Sequence, residues 1–140
     1  MRKYIGLDIG QKTIGISYSN SGIIANNFET YRFNDNNYEL AFDYINKLIK
    51  TNNIETVVIG LPKHMNNDLG IRANISIDFK ENILKNNPNV EVILYDERLS
   101  TKEVINTLVK ANVTRKKQKM IKDELSAVII LQNYLDSINK

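Results

Sequence analysis

Ile5-Gly6-Leu7-Asp8-Ile9-Gly10 is an apolar strand pattern with an acid set inside it. Residues 2–9 read as a first strand, and Asp8 lies close to its end. Burying a lone carboxylate is costly, so an acid held in such a place is paired or bound to a metal. Two further acids stand in comparable settings. Glu97 immediately follows the strand pattern Val90-Glu91-Val92-Ile93-Leu94-Tyr95-Asp96. Asp123 opens the apolar helical run Leu125-Ser126-Ala127-Val128-Ile129-Ile130-Leu131.

Working outward from the first strand, residues 13–19 and 23–33 read as two more strands joined at Asn20-Ser21-Gly22, a good hairpin turn. The stripe Leu40, Ala41, Tyr44, Ile45, Leu48 and Ile49 predicts an amphipathic helix over 38–50. Thr56-Val57-Val58-Ile59-Gly60-Leu61 is apolar on both faces, as a buried parallel strand should be. Ile71, Ile75, Phe79 and Ile83 recur every four residues and predict a helix over 71–86, stopped by Asn87-Pro88. A strand follows at 90–95. Ser100-Thr101-Lys102-Glu103 has the form of a capping box, opening a helix with Val104, Ile105, Leu108 and Val109 on one face. A final helix is predicted over roughly 118–137.

The order is βββαβαβαα, three antiparallel strands followed by strands that return through right-handed helical crossovers. This makes an α/β domain in which strands 4 and 5 run parallel to strand 1, with ligands bound near their carboxyl ends. Asp8 and Glu97 then fall on one rim of the sheet, where Asp123 could join them. No Pro-rich linker, repeat or low-complexity block divides the chain, so residues 1–140 are expected to form a single domain.

Composition narrows the chemistry. There is no Cys, which removes disulfides and thiol chemistry and fits a reducing cytoplasm. No stretch reads as a signal peptide or a membrane span, and neither is expected. The net charge of +3 is unevenly spread: Lys110, Arg115, Lys116, Lys117, Lys119 and Lys122 lie in one segment without an acid. A basic cluster on a mildly acidic body points to local anion binding, although a solvated loop would look the same.

Taken in order, Gly6-Leu7-Asp8-Ile9-Gly10 with Lys12 and Ile14-Gly15, Val58-Ile59-Gly60-Leu61-Pro62, Asp96-Glu97-Arg98-Leu99-Ser100-Thr101, and Asp123 with Ser126-Ala127 and Leu131-Gln132 resemble the YqgF (RuvX) family. The resemblance covers essentially the whole chain. It implies an RNase H-like fold akin to the Holliday-junction resolvase RuvC, with a five-stranded mixed sheet in the order 3-2-1-4-5. It also implies a nuclease linked to maturation of the 5′ end of 16S ribosomal RNA, with a branched-DNA resolvase as the alternative. The acidic site of the family maps onto Asp8, Glu97 and Asp123. Two departures stand out: Ser126-Ala127 replaces the more usual Ala-Ala, and Lys63-His64-Met65-Asn66-Asn67-Asp68 stands where the family tends to carry an Asp-Gly turn.

The expected machinery is therefore one or two Mg²⁺ (or Mn²⁺) ions held by Asp8, Glu97 and Asp123 for phosphodiester hydrolysis. Lys12, Arg98, Arg115, Lys116, Lys117 and Lys119 would contact the backbone of a nucleic acid, RNA favoured over DNA, with the ribosome or its precursors as a possible partner. Each acid has a plainer alternative. Asp8 could bond loop amides, Glu97 could pair with Arg98 or cap the next helix, and Asp123 could simply favour a helix N-terminus. His64, the only His, reads as an ordinary loop residue. Two rival functions stay open: a non-catalytic nucleic-acid or ribosome-binding module of the same fold, and, less compatibly with 140 residues, an actin-like or sugar-kinase ATPase suggested by Asp8-x-Gly10.

Overall fold

The computed structural model describes residues 2–34, 37–61, 68–96 and 115–139; over 68–72, 96 and 115–124 the description is of the backbone. Its elements are β1 (Tyr4–Ile9), β2 (Thr13–Ser19), β3 (Asn26–Arg32), α1 (Tyr38–Asn52), β4 (Thr56–Leu61), α2 (Asp68–Asn86), β5 (Glu91–Asp96) and α3 (Arg115–Ile138). The helix predicted after Ser100 lies outside the described residues.

The five strands form one sheet in the order β3-β2-β1-β4-β5. β1 is antiparallel to β2 and parallel to β4, with Leu7 opposite both Ile16 and Ile59. β4 is parallel to β5, with Leu61 opposite Asp96. The β2–β3 hairpin turns at Gly22, whose φ of 76° favours glycine.

Strand alternation divides the sheet into two faces. Ile5, Leu7, Ile14, Ile16, Val57, Ile59 and Val92 point to one side, where Ala41, Ile45, Leu48 and Ile49 of α1 and Phe79 and Ile83 of α2 close the main core. Tyr4 and Val58 point to the other side, where α3 contributes Ile130, Leu131 and Leu135. The apolar stripe of α1 is thus buried at Ala41, Ile45, Leu48 and Ile49, with Tyr44 partly buried and Leu40 50% exposed. Asn53 ends α1 in the left-handed region at φ 55°, a conformation that Asn tolerates better than most residues.

α3 starts at Arg115, not near residue 118. Lys, Arg and Gln are good helix formers, so the basic run extends the helix although it carries no apolar stripe to announce it. Asp123 consequently lies in the third turn. It does not open the helix, and the dipole of a helix N-terminus no longer accounts for its presence there.

Candidate active site at the carboxyl rim of the sheet

The seat of α3 on the sheet is built from small groups. Gly6 has no side chain, and a Cβ placed there would meet Ser17 Oγ at 2.5 Å, Leu131 Cβ at 2.8 Å and the Ala127 carbonyl at 3.0 Å. The Ser17 hydroxyl, fully buried, donates a 2.7 Å hydrogen bond to the Ala127 carbonyl. Helix and strand are therefore in van der Waals contact at this point, and a polar bond fixes how far the helix slides along the sheet.

That contact sets the height of α3. At the far end of the helix the Asn139 amide donates to the Gly22 carbonyl, and the Gln132 amide donates to Ile23 O while its oxygen accepts from Ala25 N–H. These residues hold the helix carboxyl end at the β2–β3 turn, so its amino end runs toward the rim where β1, β4 and β5 finish. Asp8 is two residues beyond Gly6, about 7 Å along the strand. Asp123 is four residues before Ala127, about 6 Å along the helix. The backbone thus brings positions 8 and 123 to about the same level, Asp8 belonging to the face that α3 covers.

Asp8 is half-buried. Directly opposite it in β2 is Gly15. On its other flank, Gly60 is the β4 residue following Ile59, the partner of Leu7. Both glycines are buried, and neither adds a side chain beside the carboxylate. The turn after β1 is closed by Gly10 N–H bonding Thr13 O (2.8 Å) and by Phe33 N–H bonding Lys12 O (2.9 Å). The Tyr38 hydroxyl reaches the Gly10 carbonyl at 3.4 Å.

The other expected site residues divide by position. Lys12 is exposed in the β1–β2 turn. Arg115, Lys116, Lys117 and Lys119 occupy the first turns of α3. Glu97 and Arg98 lie outside the described residues, Glu97 being the next residue in the chain after β5. His64 and most of the Lys63–Asp68 segment lie outside them too; Asp68 begins α2. Among the described residues no three His, Cys, Asp or Glu side chains form a metal cluster. Gly15 and Gly60 entered the sequence reading only as parts of motifs and Ser17 only as a strand residue; strand register reveals that the glycines flank Asp8 and that Ser17 seats α3.

A five-stranded mixed sheet in the order 3-2-1-4-5, flanked by helices, is an RNase H-like fold. The chain is similar in that fold to solved resolvases. It matches RuvC of Thermus thermophilus in complex with a Holliday junction substrate at a TM-score of 0.65 and 12% identity, over 99% of this chain and 96% of that one. Fowlpox virus resolvase in complex with Holliday junction DNA matches at a TM-score of 0.54 and 14% identity, over 99% of both chains.

Family membership follows from sequence. Residues 2–137 match the RuvX family, described as Holliday junction resolvase. A curated relative from Staphylococcus aureus (strain N315), named "Putative pre-16S rRNA nuclease", is 45% identical over 98% of this chain and 97% of its own length, and the protein of strain MW2 matches equally. The chain belongs to the RuvX family of nucleases.

Proposed function

We propose that this protein is a metal-dependent nuclease that hydrolyses phosphodiester bonds in the 5′-end processing of pre-16S ribosomal RNA in the cytoplasm. The observation that carries this reading is the setting of Asp8. Its carboxylate stands at the carboxyl rim, on the face covered by α3, between strand positions held by Gly15 and Gly60. Neither glycine sets a side chain beside the carboxylate, and an acid so flanked at a strand end fits a bound cation. Asp8, Asp123 from α3 and Glu97, the residue after β5 in the chain, would hold it, an all-oxygen set suited to Mg²⁺ or Mn²⁺. One or two ions held there would supply a water of lowered pKa and neutralise charge developing on the phosphate.

The protein's own contribution is placement. Two acids come from a strand end and the segment after another, and the third from a helix locked to the sheet through Ser17 and Ala127. Lys12 and the basic first turns of α3 attract the phosphate backbone without reading bases, which predicts affinity that falls steeply with salt. The resolvase likeness of the fold supports branched DNA as the second substrate to test.

The deciding experiment compares wild type with Asp8→Asn on labelled pre-16S rRNA, single-stranded RNA and four-way DNA junctions, with Mg²⁺, Mn²⁺ or EDTA. Metal-dependent cleavage of the rRNA precursor, lost in the variant, is the expected result. Preferential junction cleavage would move the assignment to a resolvase. Binding without cleavage of any substrate under any metal would make the protein a binding module.

A further inference from the structure

The edge strand β3 carries a cation on the same face as Asp8. Tyr31 stacks on Tyr44 of α1, with ring centroids 4.1 Å apart and planes 12° from parallel. Phe33, two residues on, packs against Tyr38 of α1 at 5.4 Å. Alternation therefore turns Arg32, between them, to the opposite face, the one on which Asp8 stands.

Register gives its position. Gly15 is opposite Asp8 on one side and Thr30 on the other, and Arg32 is opposite Thr13. Arg32 is thus two strands across from Asp8 and two residues nearer the rim, about 12 Å between Cα atoms at ordinary strand spacings. Among the described strand residues, the positions on this face between them are Thr13, Thr30 and the bare Gly15. Along this face the strand positions lead from the edge strand, where Arg32 stands, to Asp8.

Backbone bonding fixes this corner of the domain. The Phe33 N–H to Lys12 carbonyl bond ties the β1–β2 turn to the end of β3, so Lys12 and Arg32 share one corner of the domain. Both are exposed, and among the described residues neither is in an ion pair. Glu29, the acid of β3, is paired with Ile16 and so lies on the α1 face. A planar guanidinium with several donors on an open surface is suited to a phosphate diester.

We propose that Arg32, with Lys12 beside it, anchors a backbone phosphate of the nucleic-acid strand on the β3 side of the phosphate that is cut. This inference rests on the nuclease reading above and adds to it the path of the substrate.

The test measures binding of a fluorescent single-stranded RNA to Asp8→Asn protein, which holds substrate without cutting it, over a range of salt concentrations. Adding Arg32→Ala is expected to raise Kd about 5- to 10-fold at low salt. It should also flatten the plot of log affinity against log salt by about 0.7, the loss of one phosphate contact on a single strand. Arg32→Lys should keep the slope. Lys50→Ala, an exposed cation of α1 on the far side of the sheet, should change neither quantity. In the otherwise wild-type protein Arg32→Ala should raise KM and leave kcat unchanged.

An unchanged slope in Arg32→Ala, or an equal effect of Lys50→Ala, overturns the anchor while leaving the nuclease reading intact. A fall in kcat without a change in KM overturns it too. Wild-type protein that neither binds nor cuts any nucleic acid overturns the nuclease reading, and the anchor with it. A four-way DNA junction in the same titration distinguishes the two substrates.

Discussion

The two faces of the sheet are built on different rules. The face toward α1 and α2 is filled by Ile, Leu, Val and Phe side chains that interlock, with Phe79, Ile45, Ile59 and Leu7 fully buried. The face toward α3 is thin in the middle: Gly6, Gly15 and Gly60 carry no side chain, and Ser17 and Ser19 are buried polar groups. Bulk on the first face stabilises the domain through burial of apolar area. Small residues on the second let a helix bearing an acid come close to a strand bearing another. A sheet can thus carry bulk on one face and a close helix contact on the other by alternation alone, each strand serving both faces.

Substitutions should respect that division. The largest effect is expected from Asp8→Asn, with cleavage falling on the order of 10²–10³-fold while the unfolding midpoint stays the same or rises. A large loss of stability in this variant would make Asp8 a structural acid and erase the distinction. On the opposite face, Ile45→Ala should cost about 2–5 kcal/mol in denaturant unfolding, with activity per folded molecule retained.

Gly6→Ala probes the seam between helix and sheet. The added methyl meets Ser17 Oγ, Leu131 and the Ala127 carbonyl at 3.0 Å or less. The expected cost is about 1–3 kcal/mol. Cleavage should drop by more than the folded fraction does, because the helix carrying Asp123 is pushed outward. Ser17→Ala should be milder, about 1 kcal/mol for one buried hydrogen bond. A shift in the metal concentration needed for half-maximal cleavage would show that the bond positions the acids, whereas an unshifted curve would reduce it to packing.

The smallest effect concerns Tyr134, which sits 6.4 Å from the Tyr4 ring and 6.2 Å from the Tyr95 ring. Burial, reinforced by Glu91, raises its phenol pKa above the ordinary 10.0. The folded state therefore keeps a proton that the unfolded chain loses above pH 10. This contribution to stability is complete below that pH and lost as pH rises through the folded value. Tyr134→Phe should flatten the alkaline limb of the stability profile slightly and leave its neutral part alone.

Much of this organisation was legible in the chain. Period-two and period-four patterns located the described strands and helices, because burial on one face imposes its rhythm directly on residue type. Asp8 was conspicuous as an acid among apolar neighbours. The start of α3 was missed, because Arg115-Lys116-Lys117 extends a helix by propensity and holds no apolar residue to mark a period. Leu40 was placed in the α1 stripe and is half exposed, since periodicity reports a face but not where its edge lies.

By itself, the sequence determined the order of elements, the βαβ handedness that aligns β1, β4 and β5, and the acids available at their ends. Only the tertiary structure decided which residues become neighbours. That Gly15 and Gly60 flank Asp8, that Ser17 sets the height of α3, and that Arg32 shares the face of Asp8 all depend on strand register and helix seating. Register is fixed by pairing between segments distant in the chain, and a shift of one residue would turn every one of these side chains to the other face.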